Sequence, residues 1–385
     1  MKKILEIINL PGSAINFIGG QFRYLHEEGG YEMHLICSPG AGIEDFCLEN
    51  GVKYYPVQLN RQLSIKQDII SLWKIFKYLK KEHIDIVIAH QSKSRLLGML
   101  ACKLAGVNKR VIFAHGILYE TMNGIKRWLI MRNDHFVSSI ATKVVCVSNY
   151  VKDCRLRDHI DKPEKQVILG RGSCNGLDTT NKFNPALVPQ EDVYELKVKY
   201  GITPNDFVIG FCGRLVRDKG IMELIDAYKA LLEKYPQKSI KLLIIGRPES
   251  RDGLPQIVLD YLTHSRSITC TGLIPFNDIQ KYYLLMDVLV LPSHREGFGM
   301  VAVEAASMGR PIIVSSYTGC AETAINGITG FHVEKSSKSI SDAIEKCFDK
   351  DCALLMGEKG REYVVNNFDH TIIRQKVLEM IKSLE

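Results

Sequence analysis

Thirteen short apolar runs, rich in β-branched residues and separated by segments of helical spacing, constrain this chain more than any other feature. Seven lie in the first half: Lys3–Asn9, Met33–Cys37, Lys53–Val57, Ile86–Ala89, Val111–Phe113, Val144–Val147 and Val167–Leu169. Six follow: Val208–Cys212, Lys241–Ile245, Ile268–Thr271, Val288–Leu291, Ile312–Val314 and Gly330–Val333. Runs apolar throughout, rather than at every second residue, suit strands covered on both faces, as in a parallel sheet. The intervening segment Ile65–Lys81 sets Ile69, Leu72, Trp73, Phe76 and Leu79 at helical intervals, and Arg95–Leu104 and Ile221–Lys234 are similar. Such alternation predicts doubly wound, Rossmann-like α/β domains, and two series in 385 residues predict two of them. The polar stretch Asn175–Pro189, with Gly176, Pro185 and Pro189, marks the division. The expected domains are residues 1–176 and 177–369. After a break near Asn367–Asp369, a last helix at 370–385 is expected to pack back on the first domain.

Composition removes several classes. Apolar content is 46% and charged content 24%, which excludes a disordered or fibrous chain. The run after Lys2 and Lys3 is short and interrupted by Glu6, so it reads as a first strand and not as a signal peptide. No apolar stretch reaches the roughly 20 residues of a membrane span. The 11 cysteines include no Cys-x-x-Cys, and Cys37, Cys146, Cys212 and Cys270 sit in apolar runs as small core residues of a reducing compartment. Net charge is +7 and uneven. Residues 1–180 hold 25 basic against 17 acidic side chains, whereas 181–385 hold 25 against 26. A basic first half suits a phosphate-bearing partner or an anionic membrane surface, and is too weak for nucleic acid.

Chemistry concentrates in two places. Strand Val288–Leu291 runs into Pro292-Ser293-His294-Arg295-Glu296, then Gly297-Phe298-Gly299, then a helix Met300–Met308. Glycines admit close backbone approach, and the unpaired amides of a helix start favour an anion, so Gly297, Phe298, Gly299, Met300 and Val301 form a candidate diphosphate cradle. Glu304 stands among Val301, Ala302, Val303, Ala305 and Ala306 and needs a partner there, either a ribose diol or an ion pair within the protein. Glu296 precedes the helix, beside the phosphates or as a helix cap. Upstream, Gly213-Arg214-Leu215-Val216-Arg217-Asp218-Lys219-Gly220 joins a strand to a helix, so Arg214 and Lys219 can stabilise a leaving diphosphate without a metal, or are simply solvated charge. No convincing Asp-x-Asp follows a strand; Asp349-Lys350-Asp351 reads as surface.

Glu296 and Glu304 form Glu-x7-Glu, Gly213-Arg214…Lys219-Gly220 lies before them, and Asn175-Gly176-Leu177-Asp178 stands at the junction. In that order and spacing the set closely resembles the retaining GT-B transferases of glycosyltransferase family 4. Gly19-Gly20-Gln21-Phe22, Gly30-Tyr31-Glu32-Met33, Ser38-Pro39-Gly40, His90-Gln91-Ser92-Lys93-Ser94, Leu97-Gly98-Met99-Leu100 and His115-Gly116 look like its bacterial branch that builds capsules, exopolysaccharides and O-antigens. Where that branch often has a Glu after His115-Gly116, this chain has Arg132-Asn133-Asp134.

The resemblance implies a GT-B fold and transfer of a hexose or N-acetylhexosamine from a nucleotide sugar, UDP-linked by family frequency, with retention of configuration. It implies neither cofactor nor metal. The acceptor would be a glycan or a polyprenyl-diphosphate-linked glycan, met in the cytoplasm at the inner membrane face. Glu304 would bind the donor ribose, Glu296 the sugar hydroxyls, and Arg214 and Lys219 the diphosphate. Leu273, after Gly272, would meet the base through its backbone. His115 would face the donor sugar unless it is a satisfied core histidine, and Gly19 and Gly20 would form a flexible loop beside donor and acceptor. A GT-B sugar-nucleotide epimerase shares the two domains but lacks the paired glutamates with the Arg214–Lys219 turn. A non-catalytic nucleotide-sugar-binding partner would not need every matched position to keep a functional residue type. A nicotinamide-dependent dehydrogenase lacks its Gly-x-Gly-x-x-Gly between Leu5 and Gly20.

The segment Ile65–Lys81 carries Ile69, Trp73 and Phe76 with Lys66, Lys74, Lys77, Lys80 and Lys81. It reads either as a helix packed on the sheet with a solvated basic face or as one lying in an anionic membrane interface.

Overall fold

The computed structural model describes residues 1–60, 64–250 and 252–385. The chain forms two compact units, Met1–Gly176 with Thr371–Glu385, and Leu177–His370.

The first unit is built on a seven-stranded sheet: β1 Lys3–Ile7, β2 Glu32–Cys37, β3 Lys53–Pro56, β4 Ile86–Ala89, β5 Lys109–Ala114, β6 Lys143–Cys146 and β7 Gln166–Ile168. The order is β3-β2-β1-β4-β5-β6-β7, and every pairing is parallel. Burial on both faces explains the unbroken apolar runs: Ile4, Leu5, Ile7, Ile86, Val87, Ile88 and Ala89 are all inaccessible to solvent. Glu6 breaks the pattern, for it is as buried as its neighbours. The helix His370–Lys382 buries Ile373, Val377, Leu378, Met380 and Ile381. Glu385 accepts from the Tyr31 hydroxyl (2.8 Å) and pairs with Lys2 (3.0 Å), which ties this segment to β1 and β2.

The second unit holds six strands: β8 Phe207–Cys212, β9 Ile240–Ile245, β10 Ile268–Gly272, β11 Val288–Leu291, β12 Ile312–Ser315 and β13 Gly330–Val333. They are again all parallel, in the order β10-β9-β8-β11-β12-β13. The two sheets give the doubly wound α/β class expected from the sequence. Where the chain enters this unit it meets the segment by which it leaves. The Leu177 amide donates to the Phe368 carbonyl (2.8 Å), the His370 amide donates to the Leu177 carbonyl (2.8 Å), and the Thr179 hydroxyl donates to Asp369 (2.5 Å).

Three sequence expectations need correction. Cys270 is exposed, because β10 is an edge strand and leaves one flank uncovered. The helix Ile65–Glu82 buries Ser71, Ile75, Tyr78 and Leu79, while Trp73 and Ile69 lie on its exposed side; apolar spacing marked a helix but not its inward face. Gly19 and Gly20 open a helix, Gly19–Glu27, instead of forming a loop. A Cβ at Gly19 would lie 3.1 Å from the Phe46 ring, whereas Gly20 is exposed and faces the flexible end of Arg374.

Asp134 belongs to a buried charge network. Arg155, wholly buried, grips Asp161 through two hydrogen bonds (2.6 and 2.7 Å) and lies 3.4 Å from Asp134, which also accepts from Arg95 (3.2 Å). Burial alone would lower the Arg155 guanidinium, but its bonds to Asp161 and the charges of Asp161 and Asp134 outweigh that and push it up. Removing one carboxylate leaves a buried cation uncompensated. Asp161→Ala should therefore destabilise by about 3–5 kcal/mol, read as a lower urea midpoint of the transition that unfolds the first unit.

Candidate active site

In the second unit the strand order reverses between β8 and β11, and the loops leaving these two strands carry most of the candidate residues. The loops are stitched together. A Cβ at Gly220 would sit 2.1 Å from the Pro292 carbonyl oxygen, and its φ of 68° is itself left-handed, so only glycine fits. The His294 amide donates to the Asp218 carbonyl (2.8 Å), and Arg295 donates to the Asp218 carboxylate (2.6 Å).

This stitching brings Lys219 and Glu296 into a direct ion pair. Both are largely buried, so each charge has its counterion within the protein. Arg214 turns elsewhere and pairs with Glu249, beyond β9, at 3.0 Å; both partners of that pair are well exposed. The two cations five residues apart are thus held by different carboxylates.

The helix Met300–Ser307 begins at Gly299, whose φ is 94° and where a Cβ would lie 2.9 Å from the Cys320 sulfur. Gly299, as N-cap, has no side chain with which to cap this start. Gly297 and Gly299 are buried, Met300 and Val301 half-buried. Phe298 turns its ring into the core, edge-on to Phe368 with centroids 5.2 Å apart, so its backbone is the part left for a ligand. Leu273 follows Gly272 at the end of β10 and is 64% exposed.

Glu304 has a partner within the protein, and that partner is an uncharged hydroxyl. The Tyr283 hydroxyl donates to its carboxylate at 2.6 Å. Burial raises the Glu304 carboxyl to about 7, against the smaller opposing effects of the Tyr283 bond and the nearby Lys182 ammonium. Lys182 is itself unusual. Its Nζ lies over the Phe276 ring with no hydrogen-bond partner among the described residues, and burial lowers it to about 8. Arg361 holds this segment beside the helix: it donates to the carbonyls of Phe183 (2.9 Å), Ser307 (2.5 Å) and Thr179 (3.3 Å). Neither Tyr283 nor Lys182 was singled out from sequence, since they meet Glu304 only through folding. A buried tyrosine in a helix before β11 was the one available signal.

In the first unit the order reverses between β1 and β4. His115 follows β5 and is half-buried. Its Nε2 lies 3.1 Å from His90 Nδ1, and His90 Nε2 lies 2.7 Å from the Glu6 carboxylate. Burial, then the proximity of His90 and Arg95, pushes the His115 imidazole well below its usual value. Sequence pointed to His115 but not to Glu6, which there merely interrupted an apolar strand.

Against this geometry the comparisons with known proteins are specific. Residues 192–366 match Glycosyl transferases group 1, and residues 21–172 match Glycosyltransferase Family 4. The chain is 31% identical over 382 residues to the capsular polysaccharide biosynthesis glycosyltransferase CapM of Staphylococcus aureus, covering 98% of this chain and 96% of that one. The chain belongs to glycosyltransferase family 4. A second relative of this glycosyltransferase is the Escherichia coli UDP-Gal:alpha-D-GlcNAc-diphosphoundecaprenol alpha-1,3-galactosyltransferase, 29% identical with 88% and 86% coverage. The fold is that of a glycosyltransferase from Rickettsia africae (TM-score 0.80, 24% identity, 99% and 98% coverage). It is also that of Anabaena HepE, solved with UDP and glucose (TM-score 0.79, 18% identity, all of both chains).

The Glu304 carboxyl makes stability depend on pH with a definite sign. Its folded value lies above the ordinary 4.5, so between 4.5 and about 7 the folded transferase holds a proton that the unfolded chain has released. Stability falls as pH rises through that window, by up to roughly 3 kcal/mol. Glu304→Gln should accordingly raise the unfolding midpoint at pH 8 and leave it unchanged near pH 4, as measured by thermal denaturation across pH.

Proposed function

We propose that this glycosyltransferase moves a hexose or N-acetylhexosamine, with retention, from a UDP-sugar to a glycan or polyprenyl-diphosphate-linked acceptor in bacterial surface polysaccharide synthesis. The observation that carries the reading is the half-buried Glu304 with a Tyr283 hydroxyl and the Lys182 ammonium beside it, on a helix whose N-cap is the glycine Gly299. A ribose diol offers that carboxylate two donors, and a diphosphate suits the helix start. CapM and the E. coli galactosyltransferase, by their names, serve capsule synthesis and a lipid-diphosphate acceptor, which supports the acceptor class.

In the first unit we assign the donor sugar contact to His115, and we assign Gly19 and Gly20 to the same role beside donor and acceptor that the family resemblance implies. Lys219, freed from Glu296 when a diphosphate competes for it, binds the leaving group, and Arg214 assists from the exposed rim. Glu296 then holds the sugar hydroxyls. Charge grows on the diphosphate as the glycosidic bond breaks, so these cations act chiefly in the transition state and no metal is needed.

Binding of the ribose requires Glu304 as a carboxylate, whereas the free protein holds a proton there up to about pH 7. UDP affinity should therefore weaken as pH falls from 8 to 6, with proton release on binding. Calorimetry of UDP in buffers of different ionisation enthalpy checks this. Glu304→Gln should abolish the proton release and cost about 1.5–3 kcal/mol of affinity. Unchanged affinity rejects the ribose assignment. A panel of nucleotide sugars, tested with chelator present, identifies the donor, and a strict need for added divalent metal rejects the metal-free reading.

We also place this enzyme on an anionic membrane surface. No helix among the described residues is long and apolar enough to cross a membrane. Two helices of the first unit instead expose tryptophan amid basic residues, Ile65–Glu82 with Trp73, and Gly124–Ile140 with Trp128, Ile125 and Leu129. The second was not apparent from spacing alone. Lys77 lies over Trp73 and Arg132 over Trp128, which keeps each cation at the apolar edge. Anionic lipid adds roughly 1 kcal/mol per adjacent Lys or Arg. Vesicles of phosphatidylglycerol in phosphatidylcholine should sediment the protein, and Trp73→Ser with Trp128→Ser should release it.

A further inference from the structure

Glu6 is a carboxylate inside a parallel strand, 1% exposed, between Leu5 and Ile7, both of which are inaccessible. Such a group persists only with a donor, and the one it has is His90 Nε2 at 2.7 Å. His90 is equally buried and stacks on Phe113, with centroids 4.8 Å apart. Its other nitrogen, Nδ1, lies 3.1 Å from His115 Nε2. The Cys174 thiol, which burial pushes up to about 12, lies within electrostatic reach of Glu6, and Arg95, paired to Asp134, within that of His115. Residues from β1, the end of β4 and the end of β5 thus form one line of hydrogen bonds. It runs from a buried carboxylate to a half-buried imidazole that makes no other hydrogen bond among the described residues.

Hydrogen bonds in such a line have a direction. A carboxylate only accepts, so His90 carries its hydrogen on Nε2. A neutral His90 then has a bare Nδ1, which accepts from His115 Nε2–H. A neutral His115 with its hydrogen on Nε2 has a lone pair on Nδ1. We propose that Glu6 and His90 are positioning residues that fix this direction, so that His115 presents Nδ1 to the substrate as an acceptor for a sugar hydroxyl. This rests on the reading that His115 faces the sugar; the direction of the line itself does not. Either tautomer of an isolated imidazole is available at small cost. Glu6 therefore acts as the anchor that removes the choice, two hydrogen bonds away from His115.

Nitrogen-15 spectra of histidine-labelled protein, with His90→Asn and His115→Asn for assignment, read the tautomers without substrate. The hydrogen should be on Nε2 in both rings. An Nδ1–H form of His115, or an imidazolium at His90, overturns the proposal. In Glu6→Gln the amide can donate as readily as accept, so a second His115 tautomer should appear. With it kcat for UDP-galactose or UDP-glucose should fall about tenfold, while KM moves less than about threefold. A single retained tautomer, or a mixed one with unchanged kcat, overturns the positioning role. No turnover in the unaltered protein, with both tautomers as stated, rejects the substrate reading and with it the last step of the proposal.

Discussion

Parallel pairing of strands that are covered on both faces governs this structure. It needs apolar side chains in both directions along each strand, as in Ile86–Ala89 and Val288–Leu291, and so drives polar chemistry out of the sheets and into the loops beyond the strand ends. Those loops crowd together only where strand order reverses, between β1 and β4 and between β8 and β11. Arg214, Lys219 and Glu296 leave β8 and β11; His90 leaves β4, with His115 beyond its neighbour β5. One packing rule therefore sets the address of Arg214, Lys219, Glu296, His90 and His115, while Glu304 lies on the helix that follows β11. Glu6 is the exception that lies within a strand, and it is tolerated because a histidine reaches it from the next strand's end.

Charge is handled differently in the two units. In the second, Lys219 pairs with Glu296 and Arg214 with Glu249, so each of these cations has its counterion within the protein. In the first, Arg95, Asp134, Arg155 and Asp161 satisfy one another beneath the surface. Asp134 has two arginine partners, Arg95 and Arg155, which make it part of the scaffold.

Strands and their order of appearance were legible in the sequence because a fully buried strand leaves a run that needs no knowledge of its neighbours. What escaped was everything decided by a meeting of distant segments. Tyr283 on Glu304, Lys182 above Phe276 and the line from Glu6 to His115 each join residues far apart in sequence. The inward face of the Ile65–Glu82 helix escaped too, since both faces carry apolar residues and only the sheet beneath distinguishes Ile75 and Leu79 from Ile69 and Trp73.

The paired entry and exit at Leu177 and Asp369 make the second unit a continuous segment set inside a discontinuous one. During synthesis, residues 177–370 are complete before residues 371–385 exist, while β1 and β2 still lack the partners that Glu385 brings to Lys2 and Tyr31. The unit begun first is thus finished last.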